Sequence, residues 1–413
     1  MNTKVRIVVA LWFLSLVNYL DRVAISFAGP SIMSSLAISP ADFGIVLSSF
    51  GIGYALALIP GGMIADRWGA RIVLVGRPVF WALFTGVTGF VTTMTTFVVV
   101  RVLFGFSEGI FSPSIYKVVG DNFDGKQRAG ILAVILSALA LGPALAGPLV
   151  GTLVSNYSWQ IMFFCMAIPA LLAAGLGYIL LPRAAGADAG SDNAANIPSV
   201  APGEGAGTEK LAFREVLKRP SLWLLSLSNL STDIAQWGFN GWMPIYLAMG
   251  RGIDVKHAGM LGSIPYLCGF VGLLVGGWLG STERLHRYRA QMTAMCYLAA
   301  GLSMFLAFNA ETLTFAVIGL SLAGFFIYGA LAPKGAVVIG LAPQEHRGAY
   351  VATYTTAGQI GGASAPAIIG FMVAASGNFA SGFAFMIAAL CIAAICMIAL
   401  APMLRRSLHE QAA

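Results

Sequence analysis

The sequence predicts an all-α membrane protein: twelve transmembrane helices in two pseudo-symmetric six-helix bundles. Composition is the first reason. Of 413 residues, 58% are hydrophobic and 10% charged, with a mean hydropathy of +0.82; a soluble chain carries about 25% charged residues. The second reason is spacing. Turn residues and charges cut the chain into apolar runs near 5–28, 41–65, 71–92, 96–119, 127–154, 158–182, 218–248, 257–281, 288–308, 313–341, 347–375 and 378–404. Most run to about 20–28 residues, enough to cross about 30 Å of hydrocarbon as helices. Third, one long polar stretch, residues 183–217, is rich in Ala, Gly, Ser and Pro through its middle. It reads as a flexible cytoplasmic linker between bundles at 1–182 and 218–413.

A net charge of +7 would suit a nucleic-acid binder, but its placement excludes that reading. With the N-terminus inside, Lys4, Arg6, Arg67, Arg71, Lys126, Arg128, the linker cations, Arg284, Arg287, Arg289, Arg347, Arg405 and Arg406 fall on one side. Arg251 and Lys256 fall on the other. This asymmetry sets both termini in the cytoplasm. The first run has the basic start of a secretory signal, but Asp21-Arg22 interrupts its end and many spans follow, so it is expected to remain as the first helix. The five cysteines lie in apolar runs without pairing or metal-ligand spacing, as small core residues do. The sequence offers no metal cluster, nucleophile–base pair or cofactor loop, so neither an enzyme nor a cofactor is expected.

The first span carries Asn18-Tyr19-Leu20-Asp21-Arg22 in an apolar setting from Ile7 to Ala28 and is expected to close at Pro30. A charge at the bilayer centre costs about 2.5–3.5 kcal/mol, so this acid and base must face a protein interior or a water-filled path and find partners. The second span leads into Gly62-Met63-Ile64-Ala65-Asp66-Arg67-Trp68-Gly69-Ala70-Arg71. Small residues here permit close helix approach. Every fixed position of G-x-x-x-D-R-x-G-x-R is met, and the stretch resembles the signature loop of the major facilitator superfamily. Asp66, Arg67 and Arg71 are assigned to latching the cytoplasmic side, in gating rather than binding.

The fourth span holds Arg101 and Glu108, seven residues apart on one helical face, about 10 Å along the axis. The arginines cannot lose their charge. Asp21 and Glu108 can, since burial favours the neutral form of a carboxylate and a nearby arginine the charged form. Fixed cations beside switchable anions suit proton-coupled binding of an anion: protonating the acid frees an arginine to grip a carboxylate with two hydrogen bonds. The alternative is a buried ion pair on each span that only fixes packing.

In the fifth span, Gly142-Pro143 and Gly147-Pro148 partly resemble the Gly-Pro motif of drug/proton antiporters, but Ala138 and Ala146 stand where glycines are expected, and kinking by the two prolines is the reading taken. The seventh span is expected to close at Pro244. Its Asn229, Asp233, Gln236 and Asn240 recur at i, i+4, i+7 and i+11, a polar stripe that should line a cavity. Asp233, nearer the cytoplasmic end, reads as a gate or a third proton carrier. Trp237 and Trp242 flank the stripe, with Trp242 a candidate interfacial anchor. In the tenth span Tyr328 is placed toward a central path, and Lys334 is expected to snorkel to the cytoplasmic surface. In the eleventh, Gln359 bonds either substrate hydroxyls or a neighbouring helix. The halves echo each other through Pro30 and Pro244, Gly61-Gly62 and Gly276-Gly277, and Asp21 and Gln236, as transporter repeats do.

Together, Asn18 to Arg22, Arg101 with Glu108, Trp242-Met243-Pro244-Ile245-Tyr246-Leu247, and Ile264-Pro265-Tyr266 before Gly276-Gly277 resemble the anion:cation symporter family. That branch includes bacterial galactonate, glucarate and hexuronate carriers, sialin and the vesicular glutamate transporters. The resemblance spans nearly the whole chain. It implies a central cavity lined by spans 1, 4, 7 and 10 and alternating access driven by protons. It implies Asp21 and Glu108 as proton sites, Arg22 and Arg101 acting on the substrate carboxylate, and Tyr54 lining the site. Gln359 stands where sugar-acid carriers tend to have asparagine, and Leu136-Ser137-Ala138-Leu139-Ala140 lacks their polar side chain; the apolar fifth span leaves room for a less polar acid such as an aromatic carboxylate.

The expected function is thus a bacterial inner-membrane symporter, a monomer importing a small organic anion with protons across the lipid bilayer. Arg22, Tyr54, Arg101, Gln236, Asn240 and Gln359 would bind substrate. The rival readings are a proton-driven efflux antiporter and a transporter-like anion sensor.

Overall fold

The computed structural model describes residues 3–68, 70–181, 215–343 and 346–412. The first half contains α1 (Thr3–Leu36), α2 (Pro40–Trp68), α3 (Ala70–Thr88), α4 (Met94–Gly109), α5 (Phe111–Asn122), α6 (Gly125–Leu136), α7 (Ala138–Asn156) and α8 (Trp159–Leu180). The second contains α9 (Pro220–Ile245), α10 (Val255–Ser281), α11 (Arg289–Asn309), α12 (Leu313–Gly329), α13 (Leu331–Leu341), α14 (Arg347–Ser376) and α15 (Ala380–Ala412). Single residues separate α4 from α5, α6 from α7 and α12 from α13, so these helices make twelve passes. Ten described stretches are long and apolar enough to cross a membrane. The third pass, Val73–Thr88, is apolar but shorter, and the seventh is α9, whose polar stripe lowers its hydropathy.

Local chemistry sets the helix ends. The side chains of Thr93, Ser158, Asp254 and Thr312 accept backbone N–H groups in the first turns of α4, α8, α10 and α12, satisfying donors that a helix start leaves open. α14 stops where Gly377 turns left-handed at φ 68°. Of the expected linker, residues 183–214 lie outside the described residues, and 215–217 are helical.

Two proline expectations need correction. Pro30 does not close the first span; α1 runs through it to Leu36. Pro244 lies inside α9, which continues as a π-helical turn over Tyr246–Gly250. Pro143 and Pro148 both lie within α7, and the fifth pass is interrupted earlier, at Ser137. In a helix packed among other helices the carbonyl that proline frees can be satisfied by neighbours, so proline need not end it. At Ser137 the Oγ donates to the Val134 carbonyl at 2.6 Å and accepts the Trp12 indole N–H at 3.0 Å. Two other interruptions do follow from proline. Pro113 and Pro333 cannot donate to the carbonyls of Gly109 and Gly329, four residues back, and those glycines end α4 and α12.

The described chain forms two compact units, one holding α1 to α8 apart from Ser39–Gly44, the other holding Ser39–Gly44 and α9 to α15. In the first, α1 lies on α7 and α8, and α3 on α8 and α4. In the second, α9 lies on α14 and α15, and α10 on α12. Each unit has very close crossings, and one in each is alike. A Cβ on Gly53 of α2 would stand 2.0 Å from the Val102 carbonyl oxygen, and one on Gly105 of α4 2.1 Å from that of Phe50. Gly272 and Gly324 repeat this at α10 and α12, 2.1 Å from the Phe325 oxygen and 2.3 Å from the Pro265 oxygen. Backbone faces backbone, so nothing flexible can yield.

The crossing makes a test. Gly105→Ala should lower the thermal midpoint of the purified protein, by the about 1–3 kcal/mol typical of overpacking. Gly175→Ala, where a Cβ meets nothing within 4 Å, should leave it unchanged.

Candidate functional site

The close crossing of α2 and α4 brings Phe50 and Tyr54 against the face of α4 that bears Arg101 and Glu108, and α1 adds Asp21 and Arg22. Glu108 is 0% exposed, Asp21 2% and Arg101 3%. The ion pair lies between helices, not along them. Arg22 donates from Nη2 at 2.7 Å and from Nε at 3.1 Å, both to Oε2 of Glu108. Neighbours on a helix point in different directions, and Asp21 and Arg22 take different partners. Oε1 of Glu108 is buried without a hydrogen-bond partner.

Aromatic rings surround both arginines. The Arg22 guanidinium carbon stands 5.3 Å from the Tyr19 ring centre and 5.0 Å from those of Phe50 and Tyr54. Arg101 lies 5.1 Å from Phe50 and 4.8 Å from Phe104. These distances suit attraction between a cation and a ring face. Arg101 has no carboxylate within ion-pair distance among the described residues, and its Nε is buried without a partner. A buried cation without a paired carboxylate is costly to desolvate.

Asp21 faces α3. Its Oδ2 accepts the Trp81 indole N–H and, at 2.5 Å, the Thr85 hydroxyl. The Arg77 guanidinium lies 5.3 Å from the Trp81 ring. Sequence reasoning missed these α3 residues, although Arg77, Trp81 and Thr85 fall at i, i+4 and i+8 within an apolar run, which is the signal for one polar helical face.

In the second unit Lys334 does not snorkel. It is 7% exposed, and its Nζ donates to Asn229 Oδ1 at 3.0 Å and Thr232 Oγ1 at 3.4 Å. Acceptors on the facing helix hold the ammonium inside. Asn229 in turn donates to the Tyr354 carbonyl at 3.2 Å, so the first position of the expected stripe bonds neighbouring helices. Asp233 feels the Lys334 charge but is not within ion-pair distance of it. Gln236 and Asn240 are partly exposed. Asn240 Oδ1 accepts the Tyr328 hydroxyl at 3.4 Å, and Tyr328 itself is buried. Gln359 Oε1 has no hydrogen-bond partner. Trp242 is not an interfacial anchor: it is 2% exposed and donates to the Pro366 carbonyl at 3.0 Å. Of the latch residues, Arg67 is exposed, and the side chains of Asp66 and Arg71 lie outside the described residues.

Two units of membrane-crossing helices, each with polar groups buried at mid-helix, define a membrane transporter rather than an enzyme. The chain belongs to the Major Facilitator Superfamily, whose model matches residues 11–334. It is 28% identical over 387 residues to the hexuronate transporter of Bacillus subtilis (strain 168), covering 92% of this chain and 90% of that one. It is 28% identical over 420 residues to the "Probable galactarate/D-glucarate transporter GarP" of Escherichia coli (strain K12), covering 96% and 94%. The fold is similar to that of a bacterial homolog of the human lysosomal transporter Spinster in an inward-facing and occupied conformation, with a TM-score of 0.74, 18% identity and 98% coverage of both chains.

Two predictions follow from the burial. Glu108→Ala, which strands the Arg22 charge, should lower the thermal midpoint more than the double replacement Arg22→Leu/Glu108→Leu; removing one partner of a buried pair costs about 3–5 kcal/mol, removing both far less. Separately, an amine-reactive label should mark exposed Lys256 and leave Lys334 unmodified, as read by peptide mass mapping.

Proposed function

We propose that the protein is a proton-coupled symporter that imports an organic carboxylate, a sugar acid or an aromatic acid, by alternating access. It would act as a monomer in a bacterial inner membrane, with both termini in the cytoplasm. The observation that carries this reading is the Arg22–Glu108 pair between α1 and α4, beside the ring-held Arg101. Ionised Glu108 occupies Arg22. A proton on Glu108 removes the charge-assisted bonds, and Arg22 joins Arg101 in holding the substrate carboxylate. Loss of that proton on the low-proton side restores the pair and expels the anion. Asp21, bonded by neutral donors, is the second proton carrier. Tyr54, Gln236, Asn240 and Gln359 read the rest of the substrate. Asp233 gates the cytoplasmic half, and Asp66, Arg67 and Arg71 latch it.

The relatives support the anion class, since their names attach hexuronate and galactarate or D-glucarate to them. Two permanent guanidinium charges disfavour a cationic substrate.

Proteoliposomes with an acidic exterior test the reading against a panel of uronates, aldarates and benzoates. One class should accumulate, and a protonophore should reduce accumulation to equilibration. Arg101→Ala should abolish uptake, and Glu108→Gln should keep exchange while losing accumulation. Uptake indifferent to the pH gradient would contradict proton coupling, and accumulation of hydrophobic cations would contradict the anion site.

A further inference from the structure

Arg77, Trp81 and Thr85 form one face of α3 and are 5%, 0% and 1% exposed. Trp81 and Thr85 both donate to a single oxygen of Asp21, and Arg77 lies over the Trp81 ring at 5.3 Å. We propose that this face is the sensor of the Asp21 protonation state: Trp81 and Thr85 bind the ionised carboxylate, Arg77 strengthens the Trp81 bond, and protonation releases α1 from α3. The proposal rests on Asp21 being a proton carrier.

The chemistry is asymmetric between the two donors. An indole nitrogen donates and cannot accept, whereas a hydroxyl does both. A proton on Oδ2 of Asp21 would therefore set two donors against each other at Trp81, while the Thr85 hydroxyl can rotate and accept. A proton on Oδ1 leaves both contacts but removes the charge that makes them about twice as strong. Either way the Trp81 bond weakens, and for a proton on Oδ2 Trp81 is the partner that discriminates. A guanidinium over the indole face draws density from the ring and sharpens the N–H as a donor. α3 packs on α8 and α4 as well as meeting α1 through Asp21, so a released Asp21 changes what holds α1 to the helix that borders the Arg22–Glu108 pair.

Other titratable groups around Asp21 belong to the same reading. Its own helix carries Tyr19 and Arg22, α2 carries Tyr54, and α4 carries Arg101 and Glu108. α8 carries Cys165 and Tyr178, α6 carries Arg128, and α7, packed on α1, carries no charged group. None of these donates to the Asp21 carboxylate.

The test compares proton-driven accumulation with counterflow, which needs no proton gradient, in proteoliposomes of the full chain. Trp81→Phe should lose about tenfold or more in accumulation while counterflow persists, and should move the pH profile of uptake by about one unit, the scale of losing one strong bond to a carboxylate. Thr85→Val should act more weakly. Arg77→Gln should follow Trp81→Phe, and Arg77→Lys, which keeps the charge, should restore most of the function. Because Trp81→Phe could weaken folding, a second readout uses the wild-type chain: indole fluorescence should change with pH, and Asp21→Asn should remove that change. If Asp21→Asn loses accumulation while Trp81→Phe and Arg77→Gln keep it with an unmoved pH profile, the sensor is refuted and the symporter reading stands. If Asp21→Asn accumulates normally, Asp21 carries no proton, and both readings of that residue fall.

Discussion

In a low-dielectric interior an isolated guanidinium or carboxylate is penalised by several kcal/mol, and Arg22 and Glu108 escape that penalty only together. Their pairing ties α1 to α4 at 2.7 Å. It also settles the rest of the first unit's polar layout. With Arg22 taken by Glu108, Asp21 must look elsewhere, and α3 supplies neutral donors. With Glu108 taken by Arg22, Arg101 is left to aromatic faces. In the proposed transport cycle a single proton on Glu108 would remove the charge that holds Arg22.

The crossing beside the pair is built from backbone contact. Gly53 and Gly105 let α2 and α4 touch carbonyl to Cα, and this close crossing delivers Phe50 and Tyr54 to the arginines. The second unit repeats the crossing with Gly272 and Gly324 and repeats the helix break, at Pro333 as at Pro113. The two copies share an architecture and differ in chemistry: arginines and acids in one, a lysine held by Asn229 and Thr232 in the other.

Much of this was legible in the residues. Twelve passes and the four charges of α1 and α4 follow from hydropathy and from the cost of a buried charge. The pairing was not legible, because a helical wheel gives each residue's direction and not the neighbour it meets. Proline misled at Pro30 and Pro244, since its freed carbonyl can find partners within a helical bundle. Lys334 misled because a lysine near a helix end usually reaches solvent, and only the acceptors on α9 reverse that. Arg77 went unread, and the four-residue spacing to Trp81 and Thr85 was the overlooked sign that it points inward.

The most direct measurement of the account is the proton balance of substrate binding. Purified protein in lightly buffered detergent solution would receive a saturating pulse of the carried anion while a pH indicator is followed. The account predicts proton uptake on binding by the wild-type chain, as Glu108 is neutralised and Arg22 freed. Glu108→Gln should bind the same anion with the Glu108 share of that uptake missing. Saturable binding by the wild-type chain with no net proton exchange would contradict the switch at the Arg22–Glu108 pair.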